Sequence, residues 1–147
     1  MTLSDQLRRD EGERPRPYKD DLGNWTWGIG HNLTNPLSHL VIDLLAKGDV
    51  EGAMLECLGE DIAAARGGLT AVLPWYWALS DARRGVIENM AFNLGIGGLL
   101  GFRRMLAHCQ AGEWDAAARA MLDSKWAGQV GDRAGRLAEQ MRTDAWV

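Results

Sequence analysis

The stretch Arg16-Pro17-Tyr18-Lys19-Asp20-Asp21-Leu22-Gly23-Asn24-Trp25-Thr26-Trp27-Gly28-Ile29-Gly30 decides how the rest of the chain is read. Arg16–Lys19 reads as one strand, residues 20–24 as a turn rich in Asp, Gly and Asn, and Trp25–Ile29 as a second strand, which together make a β-hairpin. Side chains alternate across a strand, so Trp25, Trp27 and Ile29 are expected on one face and Thr26, Gly28 and Gly30 on the other. The first face is bulky and apolar. The second carries a hydroxyl and little else, so Gly28 and Gly30 would let a bulky chain lie close to the backbone.

On either side of this stretch the period is helical. Residues 3–11 read as a short helix: Thr2 and Asp5 match an N-terminal capping pattern, Leu3 and Leu7 form one apolar stripe, and Gly12 ends it. Pro15 and Pro17 prevent its return. From about residue 38 everything reads as helix. Val50, Ala53, Met54, Cys57, Leu58, Ile62 and Ala65 have the spacing of an amphipathic helix over about 50–65, long enough to join two lobes. Further helices are expected near 69–78, 81–94, 99–110, 113–123 and 132–142, with Asp81 and Asp132 as caps and Gly95–Gly98 as a break. The expected fold class is α+β, mostly α, as one domain over 1–147. A small lobe (12–50) holds the hairpin, a helical lobe takes 66–147 together with helix 3–11, and the long helix connects them. A cleft between lobes is a natural place for a ligand.

Composition narrows the functional classes. Apolar residues make up 46% and charged residues 24% of 147, ordinary for a globular protein and unlike a disordered one. The net charge of −4 is uneven, −6 over residues 1–82 and +2 over 83–147, with no basic stripe of the kind a nucleic-acid partner requires. Cys57 and Cys109 sit among apolar helical residues, so buried free thiols are expected, which suits a reducing compartment. The first nine residues lack the apolar core of a signal peptide, and no run approaches the roughly 18 apolar residues of a membrane span. Cytoplasmic accumulation without membrane insertion is the expectation. Trp114, Trp126, Trp146, Met90, Met121 and Met141 read as core, and Trp25 and Trp27 as support for the hairpin.

Three residues converge on one chemistry. Glu11 ends the first helix, Asp20 sits in the turn, and Thr26 lies on the small-residue face. Cleavage of a glycosidic bond needs two carboxyl groups, one donating a proton and one remaining ionised. The partial negative charge of a helix C-terminus would keep Glu11 protonated, while Asp20 in an open turn would stay ionised and Thr26 would hold a water through its hydroxyl.

The segments Asp10-Glu11-Gly12, Tyr18-Lys19-Asp20 and Gly23-Asn24-Trp25-Thr26-Trp27-Gly28-Ile29-Gly30-His31 resemble the phage-type lysozymes, the muramidase endolysins of tailed phages and their prophages. The spacing is Glu, eight residues, Asp, five residues, Thr, followed by Gly-Ile-Gly-His. Asp81-Ala82-Arg83-Arg84 and Asn89-Met90-Ala91-Phe92-Asn93-Leu94-Gly95 are similar to that family's central helix. Gly101-Phe102, Trp114-Asp115-Ala116-Ala117, Ser124-Lys125-Trp126 and Arg133 extend the likeness over nearly the whole chain.

The resemblance implies hydrolysis of the β-1,4 bond between N-acetylmuramic acid and N-acetylglucosamine in peptidoglycan, for host lysis. Glu11 would be the general acid, and Asp20 with Thr26 would activate water in an inverting reaction. Gly30, Phe92 and Asn93 would touch the glycan. His31 is expected to be structural near the site, paired with Glu60 or Asp61. No metal or cofactor is called for, the chain is expected to be a monomer, and a holin-type partner would release it to the wall. Two alternatives are a lytic transglycosylase on the same scaffold, which needs no water-activating carboxylate, and a non-catalytic glycan-binding module.

Overall fold

The computed structural model describes residues 1–20 and 23–147; Asp21 and Leu22, in the expected turn, lie outside them. The fold is α+β and mostly helical, with one small antiparallel sheet. The chain divides into two compact units, Ser4–Ala64 and Ala65–Val147 together with Met1–Leu3. Ser4–Glu11 thus group with the hairpin, whereas the sequence assigns helix 3–11 to the C-terminal lobe. The local reason is that Arg8 pairs with Glu13 and Gly30 lies against Glu11.

The N-terminal unit contains most of helix α1 (Leu3–Glu11), strands β1 (Arg14–Lys19), β2 (Trp25–Gly28) and β3 (His31–Asn32), helix α2 (His39–Ala46) and the start of helix α3 (Val50–Val72). The strand order is β1-β2-β3. Strand β1 begins two residues before the expected start. Pro15 and Pro17 lack the N–H that a ladder needs, but β1 is an edge strand and its pairing to β2 is irregular between Arg14 and Tyr18. Strand β3 is not foreseen from sequence. It pairs Asn32 with Thr26 and His31 with Trp27, which requires a tight reversal after β2. Gly28 and Gly30 make that reversal at φ +69° and +66°.

The expected alternation on β2 holds only in part. Trp27 is buried and its indole N–H donates to the Pro15 carbonyl at 3.0 Å, but Trp25 is 53% exposed, with the Lys19 ammonium over its ring. Thr26 and Gly28, on the opposite face, are buried as well. The core of this unit is built from Leu7, Trp27, Ile29, Val41, Ala53, Met54, Cys57 and Leu58. Ser38 caps α2 by accepting the Val41 N–H and donates its own hydroxyl proton to Glu60 at 2.6 Å.

The C-terminal unit holds the end of α3, a short 3-10 turn (Tyr76–Ala78) and helices α4 (Asp81–Leu100), α5 (Arg103–Ala111), α6 (Trp114–Leu122), α7 (Lys125–Val130) and α8 (Asp132–Thr143). Helix α3 continues past the expected end at 65 and takes in the first four residues of the helix expected at 69–78. Leu69 and Leu73 bury themselves in the core of this unit, and Pro74 stops the helix. The break expected in Gly95–Gly98 falls at Gly95, which leaves the helical region at φ 75° and ψ 164°. Ser80, rather than Asp81, caps α4, and Gly131 precedes α8 where Asp132 is the expected cap.

The core of this unit gathers Leu69, Tyr76, Val86, Ile87, Met90, Leu99, Met105, Met121, Trp126, Leu137 and Met141. Cys57 and Cys109 are free and buried, and burial pushes the Cys109 thiol up to about 12. No helix among the described residues is long and apolar enough to cross a membrane. Leu69 has no exposed surface. Leu69→Ala is therefore expected to cost about 2–5 kcal/mol through lost burial and the cavity left behind, measured by urea denaturation.

Candidate active site

Glu11 is the last residue of α1. Gly12 ends the helix with a left-handed backbone at φ +75°, and its N–H returns to the Arg8 carbonyl at 3.1 Å. Across from this helix end lies Gly30. A Cβ placed there would stand 3.0 Å from the Cγ, Cδ and Oε2 atoms of Glu11. A side chain here would push on the Glu11 carboxyl, and glycine also supplies the positive φ of the reversal.

Asp20 follows β1 and is half-buried. Its own N–H donates to the Asn24 carbonyl at 2.9 Å, and the Gly23 N–H donates to the Asp20 carbonyl at 3.0 Å. Its carboxylate accepts the Asn24 backbone N–H at 2.8 Å and the Asn24 side-chain amide at 3.4 Å. Asn24 therefore closes the turn and holds the acid. Thr26 is 5% exposed and its hydroxyl donates to the same Asn24 carbonyl at 3.0 Å, which leaves the hydroxyl oxygen as an acceptor.

Tyr18 links these parts. It is the cross-strand partner of Thr26 and two residues from Asp20, so all three belong to one patch of the hairpin. The Arg14 guanidinium lies 4.2 Å from its ring centre. The Tyr18 phenol is raised above its ordinary value, first by burial and further by the negative charges of Glu11 and Asp20, against the opposing charge of Arg14. Both carboxyl groups thus act on one hydroxyl. Sequence reasoning singles out neither Tyr18 nor Asn24. The available signals are the two-residue spacing of Tyr18 from Asp20 and the Asp-to-Asn spacing across the turn.

His31, at the start of β3, is buried with its Nδ1 at 2.7 Å from Asp61 Oδ2 and its Nε2 at 2.9 Å from the Asn35 carbonyl. Of the two acids considered for it, Asp61 is the partner, and Glu60 is engaged by Ser38. The hydrogen bond to Asp61, then that with Cys57, pushes the imidazole up to about 10 against the opposing effect of burial.

Phe92 and Asn93 belong to the C-terminal unit, on α4. Phe92 is half-buried, and the exposed Asn93 accepts the Trp126 indole N–H on its Oδ1 at 2.9 Å. Arg133, part of the family likeness, is buried and directs its Nε and Nη2 to Asn89 Oδ1 at 3.0 and 2.8 Å.

The model of the family described as phage lysozyme matches residues 8–141. The chain belongs to the phage lysozyme family. It is 31% identical to the pre-baseplate central spike protein Gp5 of Enterobacteria phage T4, over 93% of this chain and 27% of that protein. Two Dictyostelium discoideum proteins, probable T4-type lysozymes 1 and 2, are 28% and 27% identical, each over 97% of this chain and 94% of their own length.

Two predictions follow from the geometry. Gly30→Ala is expected to cost about 1–3 kcal/mol, because a side chain is strained at that φ, and to displace the Glu11 carboxyl. Urea denaturation and a crystal structure of the variant check the two effects. The folded protein holds the His31 proton more tightly than the unfolded chain, whose imidazole titrates near 6.5. The stability this provides is fully present below about pH 6.5 and is lost as the pH rises toward about 10. Urea midpoints of the parent and of His31→Gln should differ most at pH 6 and converge toward pH 10; a gap that does not change with pH would contradict the ion pair's role.

Proposed function

We propose that this chain hydrolyses the β-1,4 bond between N-acetylmuramic acid and N-acetylglucosamine of peptidoglycan, with Glu11 as general acid and Asp20 as the base that activates water. The observation that carries this reading is that one short hairpin, reversing at Gly28–Gly30, sets Gly30 against the Glu11 carboxyl and holds Asp20 and Thr26 on Asn24. Glu11 delivers its proton to the leaving glycosidic oxygen. Asp20, whose oxygens face the Asn24 donors, takes a proton from the attacking water. The Thr26 hydroxyl oxygen, its proton committed to Asn24, accepts a hydrogen bond from that water and helps to fix its approach. Attack from the face opposite the leaving group inverts the anomeric carbon, a course that requires room for a water between the carboxyl groups. Gly30, whose backbone lies against the Glu11 carboxyl, limits where that acid can turn.

Membership of the phage lysozyme family and the likeness to two probable T4-type lysozymes support a muramidase. The biological role that fits is an endolysin acting as a monomer on the host wall after a holin-type partner opens the membrane. A lytic transglycosylase would close an anhydro ring with the sugar's own hydroxyl and would have no use for Asp20 and Thr26.

Purified protein digesting peptidoglycan is expected to release fragments with reducing-end muramic acid, identified by mass spectrometry. Anhydro-muramic ends in its place would overturn the hydrolytic reading. Glu11→Gln and Asp20→Asn should each lower the rate by about 10²–10⁴-fold while leaving thermal unfolding cooperative. Cleared zones of equal size from parent and Glu11→Gln on a peptidoglycan gel would count against the assignment of the acid.

A further inference from the structure

We propose that His31, Cys57 and Asp61 form a binding site for a zinc-class divalent metal ion within the N-terminal unit, separate from the glycan chemistry. Their ligand atoms lie within 4.8 Å of one another. Cys57 and Asp61 are four residues apart on α3, so both side chains leave the same helix face one turn apart, a spacing at which one helix supplies two ligands to one ion. The reversal at Gly28–Gly30 brings His31 to that face. Thiolate, imidazole and carboxylate together suit zinc or cobalt rather than magnesium or calcium, which favour oxygen alone.

The surroundings of the histidine are those of a metal ligand. Its Nε2 lies 2.9 Å from the Asn35 carbonyl, which fixes the ring and assigns that nitrogen as the N–H donor. Nδ1 is then the nitrogen that turns toward Cys57 and Asp61. A tetrahedral ion with ordinary zinc bond lengths sets nitrogen and oxygen about 3.3 Å apart and sulfur and oxygen about 3.6 Å apart. The corresponding separations here are 2.7 Å for Nδ1 to Oδ2 and 3.9 Å for Sγ to Oδ2. The Nδ1–Oδ2 edge must open by about 0.6 Å and the Sγ–Oδ2 edge close by about 0.3 Å, while the third edge, Nδ1–Sγ, lies within 4.8 Å; side-chain rotations adjust all three. Cys57 and His31 are 2% and 6% exposed, whereas the Asp61 side chain is 26% exposed, so an ion enters past Asp61 and retains a water as its fourth ligand.

Binding exchanges protons for the metal. The divalent ion displaces the proton held between His31 and Asp61 and the proton of the Cys57 thiol, so two protons leave and the total charge balances. An ion held only by the folded chain also raises its stability.

Cobalt(II) added to the chelator-treated full-length protein tests the site. A thiolate-to-cobalt charge-transfer band and the intense visible bands of a tetrahedral centre are expected, at one ion per chain, and zinc should displace them. Cys57→Ser and Cys57→Ala should abolish the charge-transfer band, Cys109→Ser should leave it intact, and Asp61→Asn should weaken binding by at least about tenfold. Zinc should raise the melting temperature of the parent but not of the Cys57 variants. Absence of the band from the parent at excess cobalt, or a band unchanged in a folded Cys57 variant, would overturn the proposal.

Discussion

The approach of Gly30 to Glu11 constrains everything around it. A carboxyl group at a helix end would ordinarily be free to swing, but here the backbone of residue 30 occupies the adjacent space, at a separation where a Cβ would press on the Glu11 side chain. For the backbone to reach that point, the hairpin must leave the helix at Gly12, return through β2 and reverse at Gly28–Gly30. The reversal is secured from its far side, where β3 pairs with Thr26 and Trp27 and where His31 is drawn to α3 by Asp61. The position of one acid thus depends on a glycine, and the glycine depends on an ion pair that has no contact with substrate in the proposed reaction.

The second acid is held by shorter-range means. Asp20 and Asn24 bond each other through backbone and side chain, and the carbonyl that accepts the Asp20 N–H also accepts the Thr26 hydroxyl. The Asn24 carbonyl therefore fixes the turn and the threonine together. Tyr18 lies opposite Thr26 under the Arg14 guanidinium. A cation over the ring partly offsets the two negative charges that act on its hydroxyl.

Local chemistry made the hairpin legible. Gly23-Asn24 and the change of period mark its turn, and the helices that follow carry apolar residues at regular spacing. What sequence reasoning missed depended on context. Proline in β1 is acceptable because the strand lies at an edge, and an edge cannot be recognised before the sheet is known. Strand β3 has two residues, too few for a periodic signal. Helix α3 runs through Gly67 and Gly68, which interrupt the pattern, because Leu69 and Leu73 beyond them are buried. Trp25 looked like an inward-facing residue by alternation, yet at the start of β2 it is 53% exposed, with the Lys19 ammonium over its ring. The candidate acids were named by a spacing that a family resemblance made specific. Tyr18 and Asn24 acquire significance only from the register that sets Tyr18 opposite Thr26 and from the bonds that close the turn.

That register also explains why a fixed spacing of Glu, eight residues, Asp, five residues and Thr is a physical requirement. The three residues are fastened in sequence: Glu11 to a helix end facing Gly30, Asp20 to Asn24 across the turn, and Thr26 to the place opposite Tyr18. A residue inserted in β1 or β2 would shift the pairing by one, and a one-residue shift sends every side chain beyond it to the other face of the sheet. Thr26 would leave the Asn24 carbonyl and Asp20 would leave the patch shared with Glu11. The irregularity between Arg14 and Tyr18 falls before the Tyr18–Thr26 pair, so the regular register that Asp20 and Thr26 depend on begins at Tyr18.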